Sequence, residues 1–188
     1  PQPLAALNTD ARETGIALAS SGLRIWFSSD RDGGKGGLDI YSASRVSRDE
    51  GWSEPEPVSE LNSEGDDLVS SVSDSELSLL LARRDDDDSD YDVFAAERGE
   101  LDAAWDEPQR LASINSDDEE SDACYAQGKL LLIFTRDEDL YWAERPDLAS
   151  EFRVVGKIAP LNSDDDDRDP WVADDLSSFV FSSERSGS

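Results

Sequence analysis

The stretch at 161–181, LNSDDDDRDPWVADDLSSFVF, decides the fold because its pattern is written four times along the chain. Each copy begins with an apolar residue followed at once by asparagine, and a large apolar residue lies twenty positions after that beginning. We call the first residue of each copy its starter. The starters are Leu7, Leu61, Ile114 and Leu161, the asparagines are Asn8, Asn62, Asn115 and Asn162, and the later apolar residues are Phe27, Leu81, Phe134 and Phe181. Starter spacings of 54, 53 and 47 residues predict stacked supersecondary units.

Each copy contains short segments typical of β-strands. In the first copy, the apolar residues of 23–27 alternate with Arg24 and Trp26, which is the period of a strand. The apolar runs at 77–81 and 130–134 occupy the same place and indicate strands that are covered on both faces. A third strand follows each of them, and prolines at 55 and 57 fit an edge strand. The sequence therefore predicts an all-β protein, a β-propeller of four-stranded blades. A β-solenoid or a sandwich is the alternative.

The repeats predict one domain over residues 1–188, with about four blades. Their approximate bounds are 7–60, 61–113, 114–160 and 161–188. The last blade is incomplete in this chain, and residues 1–6 are predicted to complete it as an N-terminal strand. Such closure would remove open sheet edges. More blades in a longer protein are the other interpretation.

The composition excludes several classes of function. Forty-five Asp and Glu against seventeen Lys and Arg give a net charge of -28, so nucleic acid and anionic membrane surfaces are excluded as partners. No apolar run is long enough to predict membrane insertion. The absence of histidine removes Ser-His-Asp and Cys-His nucleophiles and His-ligated zinc. A single cysteine, Cys124, cannot form an intrachain disulfide.

The repeat resembles the WD-repeat-like propeller repeat of TolB-like proteins, and the resemblance spans essentially the whole chain. It is carried by Phe27-Ser28-Ser29-Asp30-Arg31, a glycine-rich loop, Asp39-Ile40-Tyr41, Trp52-Ser53-Glu54-Pro55 and Leu61-Asn62-Ser63. The second copy departs from this pattern at Ala82-Arg83-Arg84, and the third replaces the tryptophan with Phe152. The resemblance implies a non-catalytic propeller of the bacterial envelope or secreted space that presents a surface to other proteins or to cell-wall components.

Acidic residues recur at two fixed positions after each starter. Asp10, Glu64, Asp117 and Asp164 lie three residues after it, and Glu13, Asp67, Glu120 and Asp167 lie six residues after it. Equivalent turns of a propeller recur around one face, so these eight carboxylates predict an acidic ring. Calcium suits carboxylates that loops present, and the ring is its candidate site. The alternative is that these acids cap turns and are solvated.

Other polar and aromatic residues have simpler interpretations. Asp30, Asp32 and Asp39 flank the glycine-rich loop and predict a hairpin connection, while Arg31 and Arg185 predict ion pairs between strands. We predict packing between blades or at the rim for Trp26, Trp52, Trp105 and Trp171. For Cys124 we predict a small buried side chain.

Three hypotheses for function remain open. The first is a non-catalytic, extracytoplasmic recognition module whose acidic face binds a protein partner with a basic surface, with cations assisting. The second is a glycan-binding or glycoside-hydrolysing propeller, which needs two carboxyls about 5 to 10 Å apart. The third is that the acidity is adaptation to salt. No catalytic residue and no cofactor-binding residue is predicted, and calcium is the one cofactor that the pattern suits.

Overall fold

A computed structural model describes residues 4, 6–86 and 89–186 as a series of antiparallel β-sheets without helices. Blade 1 contains β1 (Glu13–Leu18), β2 (Arg24–Ser29), β3 (Asp39–Ser44) and β4 (Glu56–Pro57). Blade 2 contains β5 (Asp66–Val72), β6 (Ser78–Arg84), β7 (Asp92–Glu97) and β8 (Gln109–Arg110). Blade 3 contains β9 (Glu120–Ala126), β10 (Leu131–Arg136), β11 (Asp139–Glu144) and β12 (Arg153–Lys157). Blade 4 contains β13 (Asp167–Val172) and β14 (Phe179–Ser183).

In each blade, consecutive strands pair side by side, and β1, β5, β9 and β13 are the innermost strands. The inner strand of each blade contacts the inner strand of the next. The all-β propeller and its four-stranded blades are thus confirmed, and the fourth sheet has two strands within the described part of the chain. The prediction that residues 1–6 complete it falls largely on residues 1–3 and 5, which lie outside the described residues. Among those that are described, no helix is long and apolar enough to cross a bilayer.

The second strands of blades 1 to 3 are covered on both faces, whereas β14 of blade 4 is partly exposed. Leu79, Leu80 and Leu81 are successive residues of β6, and all three have no exposed surface. Leu79 and Leu81 pack against blade 1, whereas Leu80 packs against blade 3. Strands with alternating environments usually have one polar face, so this burial shows that the sheet of blade 2 lies between two others.

The asparagines after the second, third and fourth starters bind the preceding blade. The side chain of Asn62 accepts a hydrogen bond from the Ile40 N–H at 2.8 Å and donates one to the Ile40 carbonyl at 3.1 Å. Asn115 does the same to Val93 and Asn162 to Leu140, each with a partner 22 residues upstream. We call this pair of bonds the asparagine clamp. It satisfies the backbone N–H of a third-strand residue and adds a second donor to its carbonyl, which also accepts from the backbone N–H of Val58, Leu111 or Ile158.

The clamp predicts a difference between two asparagines in the same sequence context. Asn62→Ala leaves the buried Ile40 N–H without its acceptor, while the Ile40 carbonyl keeps the Val58 N–H as a donor at 2.9 Å. We expect a loss of about 1–3 kcal/mol in urea unfolding and faster hydrogen exchange of the Ile40 amide. Asn8 is exposed and its side chain has no hydrogen-bond partner among the described residues. Asn8→Ala is the control, with an expected change within about 0.5 kcal/mol. Equal losses in the two variants would contradict the clamp.

Candidate functional site

The starter turns and the loops between second and third strands lie at one end of the blades, which we call the upper face. The first strand of each blade runs away from this end, the second returns to it and the third leaves it again. Both kinds of predicted acidic residue therefore reach the upper face. The two kinds differ in the direction of their side chains, because one set points into the blade and the other points into solvent.

The acids six residues after each starter are bound by arginines from the end of the second strand or just beyond it. The pairs are Arg31 with Glu13, Arg83 with Asp67, Arg136 with Glu120 and Arg185 with Asp167. In the second and third pairs, the arginine Nε lies 2.6 Å from a carboxylate oxygen. The side chains of Asp67, Glu120 and Asp167 have no exposed surface. We call each pair an arginine clasp.

Each clasp also ties down the starter turn. The Arg83 Nη2 donates to the Leu61 carbonyl at 2.8 Å, and Arg31, Arg136 and Arg185 donate to their own starters in the same way. The hydroxyl of Ser63 donates to Asp67 at 2.8 Å, a role that Thr9, Ser116 and Ser163 repeat. The Arg83 guanidinium lies 5.1 Å from the centre of the Phe94 ring. Each buried carboxylate of a clasp thus has several partners, which its burial requires.

The predicted pairing of Arg31 and Arg185 between strands is confirmed, but Arg83 and Arg136 were missed. In the sequence these two lie 22 residues after their starters, whereas Arg31 and Arg185 lie 24 after theirs. Because their distance from the starter differs by two residues, Arg83 and Arg136 did not align with Arg31 and Arg185. Ala82-Arg83-Arg84 was therefore interpreted as a departure from the repeat. In the structure these three residues continue β6, and Arg83 occupies the place of Arg31.

The predicted acidic ring is divided into two sets by this arrangement. Glu13, Asp67, Glu120 and Asp167 form the clasps, whereas Asp10, Glu64, Asp117 and Asp164 are exposed to solvent. Within the part of the chain that the structure describes, no group of three acidic or cysteine side chains is placed to hold a metal ion. Calcium binding by the eight carboxylates stays a prediction.

Burial and hydrogen bonding compete in setting the pKa values of Glu13, Asp67 and Asp167. Burial alone would raise the pKa of Asp167, but hydrogen bonds from Ser183, Arg185 and Ser163 outweigh it and lower that pKa well below its ordinary value. The same competition lowers the pKa of Glu13, through Thr9 and Arg31. For Asp67, burial outweighs Arg83 and Ser63, so its pKa is raised.

The glycine-rich loop of blade 1 is a hairpin connection that lies on the starter turn of blade 2. The backbone N–H groups of Lys35 and Gly36 donate to one carboxylate oxygen of Asp39 at 2.9 and 3.1 Å. A Cβ on Gly36 would lie 2.1 Å from the Gly65 carbonyl, so only glycine allows this approach. The hairpin prediction for Asp30, Asp32 and Asp39 is confirmed.

A cleft of about 470 Å³ opens on the upper face between blades 2 and 3. Its acidic lining includes Asp85, Asp90, Asp117 and Asp118. Its arginines, Arg83, Arg84 and Arg110, are ion-paired with Asp67, Asp66 and Asp92. Because these guanidinium groups already have carboxylate partners, the cleft presents mainly negative charge to solvent.

The aromatic residues largely follow their predictions. Trp26 and Trp105 are buried and meet edge to face across blades 1 and 2, with ring centres 6.3 Å apart. Trp52 is partly buried beneath the Arg45 guanidinium, whereas Trp171 is 53% exposed. Cys124 is buried, and its burial raises the thiol pKa to about 12.

Two further acids, not selected from the sequence, lie on neighbouring inner strands. Asp122 and Asp169 both have positive φ, 49° and 52°. They lie at irregularities in the pairing of β9 with β10 and of β13 with β14. Burial raises the pKa of Asp122, and the charge of Asp169 raises it further. Alternation of apolar and polar residues carries no signal for such bulges, which explains why this pair was missed.

Comparison with known proteins supports the fold and leaves the activity open. No protein-family model and no curated protein matches the chain. Among solved structures, "putative TolB from Agrobacterium tumefaciens" is similar, with a TM-score of 0.64 and 13% sequence identity. The match covers 94% of this chain and 56% of that chain, so this chain spans about half the length of that protein. At this identity the likeness shows a TolB-like β-propeller fold.

The clasp predicts that replacing one of its arginines strongly lowers the free energy of unfolding. Arg83→Gln leaves the fully buried Asp67 without its cation, and we expect a loss of about 3–5 kcal/mol in urea unfolding. The double variant Arg83→Gln/Asp67→Asn removes both charges and should lose less. Arg110→Gln, which breaks a partly exposed pair with Asp92, is the control and should cost about 0–1 kcal/mol. A single variant no worse than this control would contradict the clasp.

The lowered pKa of Asp167 predicts a contribution to acid unfolding. A carboxyl with a lowered pKa in the folded state stabilises that state above its unfolded pKa and loses this contribution as pH falls toward the folded pKa. We expect Asp167→Asn to be less stable than the parent at neutral pH and to lose less stability between about pH 5 and about pH 2. Urea unfolding at several pH values measures this. Asp164→Asn, at an exposed neighbouring site, is the control and should retain the parental dependence of stability on pH. The prediction is wrong if the stability of Asp167→Asn changes with pH as that of the parent does.

Proposed function

We propose that this chain is a non-catalytic β-propeller recognition module that acts outside the cytoplasm and binds a protein with a basic surface through its upper face. The TolB-like fold supports a binding role, because the sequence resemblance implies propellers that present a surface to other proteins. The same resemblance supports the extracytoplasmic location. Glycan hydrolysis gains no support from the structural comparison.

The observation that carries the proposal is the division of acids on the upper face. The arginine clasps pair the guanidinium groups of Arg31, Arg83, Arg136 and Arg185 with carboxylates of the same blade, so these positive charges are neutralised within the fold. The exposed acids of the starter turns keep no such partner among the described residues, and they recur in successive blades at the same end. A surface of one sign attracts a partner of the opposite sign and accelerates encounter with it.

The exposed acids of the starter turns are the proposed site of cation binding. Asp10, Glu64, Asp117 and Asp164 lie next to clasps that cannot release their own carboxylates without leaving an arginine unpaired. We therefore propose that calcium or sodium ions gather at these four exposed acids, where a cationic probe competes with them. Competition by calcium beyond that of sodium at matched ionic strength would support specific calcium binding.

A cationic probe tests the acidic face directly. Binding of a fluorescent octalysine peptide is measured by anisotropy for the parent and for Asp10→Asn/Glu64→Gln/Asp117→Asn/Asp164→Asn. We expect the affinity to fall about tenfold, which corresponds to about 1.4 kcal/mol, and binding by the parent to weaken as salt screens the charges.

The matched control removes the same number of charges at the other end of the blades. Asp49→Asn/Glu50→Gln/Glu100→Gln/Glu151→Gln changes four exposed acids in the loops between third and fourth strands. We expect this variant to bind within about threefold of the parent. Equal weakening in both variants would show that net charge, and not the upper face, attracts the probe.

A further inference from the structure

The third strands of blades 1, 2 and 3 each begin with an aspartate, and in blades 2 and 3 this acid has a cationic partner on the fourth strand. The strand-initial acids are Asp39, Asp92 and Asp139. Asp92 accepts from the Arg110 guanidinium through both carboxylate oxygens at 2.7 Å, and Asp139 accepts from the Lys157 ammonium. Each cation lies 18 residues after its acid. The repeat therefore places one positive charge beside this carboxylate.

Blade 1 has no cation at the equivalent position of its fourth strand. The residue 18 positions after Asp39 is Pro57, which pairs with the third strand in the same register as Arg110. Asp39 is nevertheless the most deeply buried of the three acids. It is 1% exposed, whereas the side chains of Asp92 and Asp139 are 29% and 21% exposed.

One carboxylate oxygen of Asp39, Oδ1, is buried and has no hydrogen-bond partner among the described residues. The other, Oδ2, accepts from the backbone N–H groups of Lys35 and Gly36, and a Cβ on Gly34 would lie 1.9 Å from it. The glycine-rich loop is thus wrapped closely over this carboxylate. The Lys35 ammonium is directed elsewhere, because it donates to two backbone carbonyls of the following turn. A buried carboxylate needs a positive partner as well as hydrogen bonds.

The same loop places further oxygen groups near this carboxylate. Burial raises the pKa of Tyr41, and the negative charges of Asp39 and Asp32 raise it further, so both carboxylates act on one hydroxyl. That hydroxyl donates to the Arg31 carbonyl at 3.1 Å. The side chain of Asp32 is exposed and has no hydrogen bond or ion pair within the described part of the chain. Carboxylate and backbone carbonyl oxygens are the groups that bind calcium in proteins.

We propose that a metal cation that prefers oxygen ligands, calcium or sodium, binds within the glycine-rich loop of blade 1 at the Oδ1 atom of Asp39. It supplies the positive charge that Arg110 and Lys157 supply in blades 2 and 3. Asp39, Asp32 and backbone carbonyls of the loop are its proposed ligands, so the site does not require three acidic side chains. This inference concerns other carboxylates than the exposed acids of the starter turns and does not depend on the binding role of the upper face.

Urea unfolding after treatment with a chelator tests the proposal. The free energy of unfolding is measured in calcium chloride, sodium chloride and tetramethylammonium chloride at matched ionic strength. A ligand that binds only the folded state stabilises it, and each tenfold increase in its concentration above the dissociation constant adds about 1.4 kcal/mol. We expect this gain with calcium or sodium, and the ion that gives it identifies the metal. Tetramethylammonium should give none, because it cannot enter a buried site.

Asp39→Asn removes the negative charge and should abolish the gain from the metal. Asp92→Asn is the matched control, because Arg110 already occupies the equivalent place in blade 2. This control should respond to the metal as the parent does.

Pro57→Lys restores the fourth-strand cation that blades 2 and 3 have, at a position exposed to solvent. We expect it to be more stable than the parent without metal and to lose the response to metal, because its ammonium takes the place of the ion. Pro57→Ala removes the proline without adding charge and should keep the parental response.

Three results would each overturn the proposal. They are a parent that gains no more from calcium or sodium than from tetramethylammonium, an Asp39→Asn variant that keeps the parental gain, and a Pro57→Lys variant that does so. Binding of the octalysine peptide is a separate measurement, and Asp39→Asn should bind this probe as the parent does. Failure of the loop site and failure of the upper-face proposal are therefore distinguishable.

Discussion

The structure depends on one constraint, which is that a four-stranded sheet with two apolar faces must be covered on both sides by other sheets. Leu80 and Leu81 are adjacent in β6 and are both fully buried, one against each neighbouring blade. Apolar contact supplies attraction but little directional information. The asparagine clamps add direction, because a bidentate hydrogen bond to one backbone residue fixes the register of a blade against its neighbour. The hydroxyl of Ser28 in β2 accepts from the Val69 N–H in β5 at 2.9 Å and adds a further directional bond between blades 1 and 2.

The second constraint is a net charge of -28 on 188 residues. The chain meets it by giving two acids of the same turn different environments. Asp67 reaches the end of β6 and enters a clasp with Arg83, while Glu64 in the same turn remains in solvent. A buried ion pair contributes little net stability compared with an apolar pair. The clasps are therefore better understood as devices that set the geometry of the starter turns and leave the exposed acids on the surface.

Much of the fold followed from the sequence, whereas the direction of individual side chains did not. Alternation and repeat spacing located the strands and blades, because both report the average environment of a segment. Asn62 was recognised as part of a pattern, but its bonds to Ile40 join residues 22 positions apart and leave no local signal. Asp67 was grouped with Glu64 as a candidate ligand, because spacing cannot show that one acid faces an arginine and the other faces water.

The variable spacing of the starters has a single structural origin, and it bears on where function can vary. From each clamped third-strand residue to its asparagine the distance is 22 residues in all three cases. From the starter to that residue it is 33, 32 and 26. The shortening lies between the second and third strands, where blade 3 turns through Asp137 and Glu138, both with positive φ, as a two-residue hairpin can.

The clamp lies outside this variable connection, and the clasp arginine lies at its beginning, 22 or 24 residues after the starter. The connection can therefore change in length beyond the arginine without disturbing either of them. The loops that vary most are on the upper face, beside the exposed acids of the starter turns. A scaffold that keeps its interfaces constant and confines variation to one face is well suited to recognition, because partner contacts can diverge while the packing between blades stays the same. This separation of constant and variable positions is the strongest structural reason for placing the binding surface at the upper end of the blades.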